Sequence, residues 1–220
     1  MNTLIEEIKQ EFTAHANPEE AAKQTAYLKG KFPHFGLKTP QRRTLTKPLI
    51  DSLKPCSESE IIEICRLCYD QPEREFHQLA LDILVKYHKK LEYDAIPFIK
   101  KMIEIHSWWD TVDMLAAKVL GNYLKRNPEQ IKVMDSWCKD DNLWIRRSAL
   151  LFQLKYKEDT DSKLLFKYCL QVAHEKDFFI RKAIGWTLRE YAKTNRDEVE
   201  AFVNSYREKL SHLTVKEALR

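Results

Sequence analysis

The residues best suited to chemistry in this sequence lie in one short segment, WWDTVD at positions 108–113. Trp109 and Asp113 are four residues apart and share one face of a helix, whereas Asp110 is a poor partner for that face. A carboxylate beside an indole ring, bordered by cations, is suited to binding a positively charged species. Spacing alone favours a plainer interpretation: a capped helix with a core tryptophan and an aspartate that pairs with a basic neighbour.

Basic and aromatic residues recur at positions 35 apart. One column consists of Arg42, His77, Val112, Arg147 and Lys182, the next of Phe76, Thr111, Arg146 and Arg181, and a third of Arg43, Gln78, Asp113, Ser148 and Ala183. Two interpretations stay open, a solvated charged face and a basic track for a phosphate backbone. The aromatic residues at the same helix starts favour the track: Trp108, Trp109, Trp144, Phe178 and Phe179.

Other chemistries have weaker support. Cys65 and Cys68 have the C-x-x-C spacing of one half of a zinc site, but the sequence has no second pair of ligands. We therefore predict that both are core thiols. No histidine pairs with a serine or cysteine in a nucleophile arrangement. The sequence contains neither a glycine-rich phosphate loop nor the clustered carboxylates of a metal-dependent nuclease. We therefore expect an activity that needs no metal ion and no cofactor.

The composition favours an all-helical protein. Of 220 residues, 44% are apolar, 32% are charged and only 4 are glycine, fewer than the turns of an all-β protein require. No apolar run is long enough for a transmembrane helix, and the charged N-terminus lacks the pattern of a signal peptide. With 5 cysteines, an odd number, we expect reduced thiols and a cytoplasmic protein. The net charge of +4 hints at an anionic partner.

Helical segments repeat along the chain with a period of 35. The segments 73–87, 108–122, 143–157 and 178–192 align without gaps, with less regular helices such as 93–105 and 128–139 between them. Two helices per repeat predict an α-solenoid of HEAT-like repeats, curved with a concave basic face, as a single domain over residues 1–220. We expect Glu73, Arg74 and Glu75 to form an exposed helix start.

These motifs resemble the AlkD family of bacterial DNA alkylation repair glycosylases. The resemblance includes WWDTVD, the early Tyr27, PEREF at 72–76, FQLKYK at 152–157 and FFIRKAIGWTLREYAKTN at 178–195. It extends over essentially the whole chain, and the combination of WWDTVD with the late motif is specific, since neither is common in generic HEAT scaffolds.

The resemblance implies an N-glycosylase that removes cationic alkylated purines, such as 3-methyladenine and 7-methylguanine, from duplex DNA while the lesion stays stacked. It implies that Asp113 is the catalytic aspartate, that Trp109 and Trp186 are the active-site tryptophans, and that Arg147 supports the site and the DNA backbone. Further positions expected near the DNA are Tyr27, Thr39, Arg43, Lys155 and Arg189. The basic columns add Arg146, Arg181 and Lys182, which look more positive than we expect of the family.

Elementary chemistry agrees with these roles. A purine alkylated at N3 or N7 is a good leaving group, so the difficult step is the oxocarbenium-like charge that develops on the deoxyribose, and an ionised carboxylate stabilises that charge. The alternative is a non-catalytic HEAT-repeat scaffold that binds DNA structures or a protein partner. The trio of Trp109, Asp113 and Trp186 discriminates, because a scaffold does not need it. We expect a monomer that binds duplex DNA and no membrane.

Overall fold

The computed structural model of the chain describes residues 2–92 and 95–220, apart from the side chain of Asn2. Across these ranges no residue lies in a β-strand, so the all-α prediction is confirmed. The chain divides into two compact units, one ending at Phe98 and the other spanning Ile99–Arg220. The single domain and the concave face stay predictions.

The first unit is built from paired helices. They are α1 (Asn2–Ala14), α2 (Pro18–Tyr27), α3 (Thr39–Ser52), α4 (Glu58–Tyr69) and α5 (Arg74–Tyr87), followed by a 3₁₀ turn, His88–Lys90. Helix α6 (Ala95–Glu104) contains the boundary between the units. Tyr93, at the start of the predicted 93–105 helix, lies outside the described residues.

The second unit continues the same pattern. Its helices are α7 (Trp109–Met114), α8 (Gly121–Arg126), α9 (Met134–Trp137), α10 (Leu143–Leu151), α11 (Ser162–Gln171), α12 (Phe178–Ala192), α13 (Arg196–Ser205) and α14 (His212–Ala218). A π-helical segment, Leu115–Leu120, joins α7 to α8, and 3₁₀ turns occupy Pro128–Val133 and Lys157–Asp159. No helix in the described part of the chain is long and apolar enough to cross a membrane.

The period of 35 is confirmed by the helix starts. Helices α5, α7, α10 and α12 begin at residues 74, 109, 143 and 178, and α3 at 39 and α14 at 212 continue the series in both directions. Polar contacts cross from one repeat to the next at a separation of 34 or 35 residues. The Tyr156 hydroxyl donates to the Gly121 carbonyl at 2.7 Å, and Lys125 pairs with Asp159 at 2.6 Å.

Side-chain caps explain several of the helix starts. Asn17, Asn142 and Asn195 accept hydrogen bonds from backbone amides of the helices that follow them, and Ser57 forms a reciprocal capping box with Glu60. Each cap satisfies amides that the helix itself leaves unpaired. These four helices therefore begin after residue types that favour a helix start.

The predicted exposed start of α5 is wrong. Arg74 and Glu75 are 0% and 1% exposed. The Arg74 guanidinium lies 3.8 Å from the centre of the Phe32 ring, and Glu75 Oε1 accepts hydrogen bonds from the amides of Gly36 and Leu37 at 2.9 and 3.2 Å. The two charges are buried because the segment before α3 turns back over the start of α5 and supplies the aromatic ring and the two backbone amides as partners.

Candidate active site

The WWDTVD segment forms the turn into α7 and the helix itself. Trp108 has an extended backbone (φ −159°) and Trp109 is the first helical residue, so Asp113 lies about one turn further on the same face. The π-helical segment begins directly after this helix, at Leu115. Insertions of this kind in α-helices are frequently found at functional sites.

A shallow cavity of about 210 Å³ in the second unit brings the predicted trio together. Trp109 and Asp113 reach it from α7, and Trp186 reaches it from α12. The other lining residues are Asp110, Met114, Ala117, Lys118, Leu154 and Lys155. Two indole rings and two carboxylates therefore line one small opening, together with two lysines.

Asp113 forms a two-point ion pair with Arg147, which comes from the next repeat. Nε of Arg147 donates to Oδ1 of Asp113 at 2.7 Å and Nη2 donates to Oδ2 at 2.8 Å. The third nitrogen, Nη1, donates to the Phe179 carbonyl. The Asp113 side chain is 15% exposed and the Arg147 side chain 5%, so the carboxylate is the more accessible partner. This geometry fixes the carboxylate rigidly, since parallel bidentate hydrogen bonds restrict both charged groups.

Burial raises the pKa of Asp113 above its ordinary value. The hydrogen bonds and the positive charge of Arg147 act in the opposite direction, and the charge of nearby Asp110 raises the pKa further. The cavity therefore contains a carboxylate whose ionised form depends on Arg147.

The plainer interpretation of the segment describes the ion pair correctly, because Asp113 does pair with a basic neighbour. Its core tryptophan does not describe Trp109, because Trp109 lines the cavity together with Trp186. Asp110, which the spacing makes a poor partner for the face of Trp109 and Asp113, also lines the cavity. Sequence patterns did not identify Lys118 and Met114 as part of the site, because neither lies three or four residues from Asp113.

The neighbouring tryptophan, Trp108, belongs to a different cluster. Its ring centre lies 5.5 Å from that of Trp144 and 5.2 Å from that of Phe179, and the last two rings are 4.9 Å apart. Phe178 lies at the edge of this cluster and is 57% exposed. Of the recurring aromatic residues, Trp109 therefore lines the cavity. The others, Trp108, Trp144, Phe178 and Phe179, contact one another near the starts of α7, α10 and α12.

The column that begins with Arg42 is largely internal, contrary to both interpretations of it. Arg42, His77, Val112 and Arg147 are all at least 95% buried, and Arg42 pairs with Asp82 at 2.6 Å. Lys182 is the exception, with 35% of its side chain exposed. The cations of this column lie inside because each finds an acidic or polar partner there.

The other residues of the second unit that we expect near DNA also have partners. Arg146 pairs with Glu175 at 2.9 Å, and Arg181 donates to the Glu175 carbonyl at 3.0 Å. Lys155 pairs with Glu190 at 3.3 Å, and Lys182 and Arg189 both pair with Glu217. Lys155 is 52% exposed, so its ammonium group remains accessible at the cavity edge. The roles of these residues toward DNA stay predictions.

Three residues expected near DNA lie in the first unit. Tyr27, at the end of α2, is 68% exposed, and Thr39, at the start of α3, is also exposed. The Arg43 side chain is 53% exposed and pairs with Asp82 at 3.0 Å. Each could contact a large ligand from the surface of this unit.

Cys65 and Cys68 lie in the buried face of α4, as predicted for core thiols. Burial raises the pKa of Cys68 to about 12, so the thiol stays protonated at neutral pH. Among the described residues, no cluster of histidine, cysteine and acidic side chains is arranged to hold a metal ion.

Comparison with known proteins identifies the family. Residues 8–220 match the family model described as DNA alkylation repair enzyme. A structure described as a predicted DNA alkylation repair enzyme from Enterococcus faecalis is 31% identical, with a TM-score of 0.86 over 92% of this chain and 94% of that one. The structure of AlkD2 from Streptococcus mutans is 16% identical, with a TM-score of 0.65 over 90% and 97% of the two chains, and it shows the shared fold.

A comparison with curated proteins gave no significant match. The family model spans almost the entire sequence, including the α7 segment, Arg147 and Trp186. The helix pairs and their period of 35 are consistent with this match. The chain therefore belongs to the DNA alkylation repair enzyme family.

Proposed function

We propose that the protein is a DNA glycosylase that hydrolyses the N-glycosidic bond of purines alkylated at N3 or N7, such as 3-methyladenine and 7-methylguanine, in duplex DNA. The observation that supports this most is the position of Asp113. Its carboxylate is held by Arg147 at an opening walled by Trp109 and Trp186. An anionic group between two aromatic faces suits a sugar that becomes positively charged.

The reaction needs little help at the base. As the bond between C1′ and the purine nitrogen breaks, its electron pair stays with the purine and neutralises the positive charge there. The positive charge then develops on the sugar, a water oxygen bonds to C1′, and the water loses a proton to Asp113 or to solvent. Asp113 stabilises the sugar cation and orients the water, while the two indoles contact the sugar.

The size of the effect is estimated from Coulomb's law. Two unit charges about 4 Å apart attract by roughly 4 kcal/mol at an effective dielectric constant near 20. The charge on the sugar is partial, and a stabilisation of about 2.7 kcal/mol corresponds to a rate increase of about a hundredfold. A single well-placed carboxylate therefore supplies a measurable part of the roughly 8–23 kcal/mol by which enzymes typically lower a barrier.

The shape of the cavity supports a reaction on a stacked base. At about 210 Å³, the opening is smaller than typical ligand pockets of roughly 300–1,000 Å³. It is also open to the surface rather than enclosed, which suits contact with a sugar better than the enclosure of an extruded purine. We therefore propose that the enzyme contacts the deoxyribose and backbone of the lesion while the base stays in the duplex.

Release of 7-methylguanine from methylated duplex DNA tests the proposal. Asp113→Asn keeps the shape of the side chain and removes its charge, and we expect release to slow by at least about tenfold. Asp159→Asn, which breaks an exposed ion pair of the same unit, is the matched control and should release base like the wild type. Circular dichroism verifies that both variants are folded.

Two other outcomes would change the conclusion. Release that is unaffected by Asp113→Asn would keep the glycosylase and exclude the electrostatic role of Asp113. Binding of DNA without any release by the wild type would favour the non-catalytic scaffold.

A further inference from the structure

Glu217 is a buried carboxylate that touches two basic residues at once. It lies on α14 and is 8% exposed. Its Oε2 accepts a hydrogen bond from Nζ of Lys182 at 2.5 Å, and its Oε1 accepts one from Nη1 of Arg189. Both cations belong to α12, the helix that also contributes Trp186 to the cavity.

The spacing on α12 explains how one side chain reaches both cations. Lys182 and Arg189 are seven residues apart, two helical turns, and so lie on one face. Gly185 lies between them, and a Cβ atom there would come within 2.5 Å of the Glu217 Cβ. The glycine lets the stem of Glu217 cross α12 directly, with one cation on either side.

The carboxylate of Glu217 offsets the repulsion between the positive charges of Lys182 and Arg189. Two cations at hydrogen-bond distance from one carboxylate lie close enough to repel each other strongly, and the negative charge offsets that repulsion. Burial raises the pKa of Glu217, but the hydrogen bonds and charges of Lys182 and Arg189 outweigh burial and lower the pKa below its ordinary value. Glu217 is therefore ionised at neutral pH.

The outer sides of the two cations remain accessible. The Lys182 side chain is 35% exposed and the Arg189 side chain 28%. A guanidinium group has five N–H donors and an ammonium group has three, so each cation has donors beyond the one that Glu217 accepts. Two converging cations can bridge a second anion with paired oxygens, and a phosphodiester is such an anion.

We propose that Glu217 is a positioning residue that holds Lys182 and Arg189 as a paired receptor for one phosphate of the DNA strand whose damaged nucleotide lies at Trp186. This proposal rests on the proposed function and adds a residue to it. Glu217 lowers the local positive charge by one and in exchange fixes the geometry of the other two. Its effect is therefore on the selective binding of damaged DNA rather than on attraction to DNA in general.

The test compares affinities for two duplexes of the same sequence, one undamaged and one with a tetrahydrofuran abasic analogue, across a range of salt concentrations. We expect Glu217→Gln to lower the preference for the analogue at least about fivefold, while affinity for undamaged DNA stays equal or rises because a negative charge is removed. In a background that carries both Lys182→Gln and Arg189→Gln the same change should have no further effect, since Glu217 acts through these two cations. Glu200→Gln, which removes an ion pair on α13, is the control.

A purely structural role predicts a different result. In that case both affinities fall together and the melting temperature drops, and this outcome overturns the proposal. A preference unchanged by Glu217→Gln in a protein that releases 7-methylguanine also overturns it, while the proposed function stands. A wild type with neither preference nor release contradicts the proposed function itself, and the role of Glu217 fails with it.

Discussion

At the scale of single residues, the ion pair between Asp113 and Arg147 determines the charge of the candidate site. Burial alone would keep the Asp113 carboxyl protonated to a higher pH than an ordinary aspartate, and Arg147 opposes this effect. Arg147 also fixes the orientation of the carboxylate through two hydrogen bonds. Catalysis that depends on an anionic Asp113 is therefore expected to depend on the arginine as well.

The pH dependence of release should show this coupling. Because the pKa of Asp113 is raised, activity should disappear, as the pH falls, at a higher pH than the value of 3.8 for an unperturbed aspartate. Arg147→Lys retains a charge but not the paired geometry, and Arg147→Gln removes both. We expect the acidic limb of the rate profile to move to higher pH from wild type to Arg147→Lys to Arg147→Gln.

The measurement is the enzymatic release rate between acidic and neutral pH, corrected for spontaneous loss of the base at each pH. An acidic limb at the same pH in all three proteins would show that Asp113 is not the group whose ionisation limits the reaction. Thermal melts in the same buffers separate loss of activity from loss of folding.

At the scale of helices, close approach between repeats positions the site. Gly121 follows the π-helical segment after α7, and a Cβ atom there would overlap the carbonyl oxygen of Phe152, which follows α10. The Gly121 carbonyl also accepts the Tyr156 hydroxyl from the same neighbouring repeat. This close approach sets the separation of the two repeats that provide Asp113 and Arg147.

Gly121→Ala should therefore destabilise the protein. Alanine is favoured over glycine in a helix by about 1 kcal/mol, but the added methyl group meets backbone that cannot rotate away. We expect a net loss of roughly 1–3 kcal/mol, as for other overpacked sites, and a melting temperature several degrees lower. The adjacent Asn122→Ala is the control, and a Gly121→Ala variant as stable as that control would contradict the close packing.

At the scale of the whole molecule, the sequence predicts the repeat better than it predicts the charges. The period of 35 follows from apolar columns, because every helix pair must bury an equivalent face. The partners of Arg147, Lys182 and Arg189 lie on the neighbouring repeat, and which carboxylate each cation meets depends on side-chain direction rather than spacing. Arg74 and Glu75 show the same limit, since charged residues are rarely buried without partners that only the fold supplies.

The salt dependence of DNA affinity can separate the contributions of the two units to binding. The predicted DNA-binding residues lie in both units, with Arg43 in the first and Lys155 in the second, and both side chains are about half exposed. The logarithm of the affinity falls as the logarithm of the salt concentration rises. Removing one cation that neutralises a phosphate should make this slope less steep by about 0.9. Arg43→Gln and Lys155→Gln should each have this effect, and the double variant should make the slope less steep by about 1.8. Lys125→Gln, which lies outside the predicted interface, should leave the slope unchanged. An effect of Lys155→Gln without one of Arg43→Gln would restrict the interface to the second unit, where Asp113 lies.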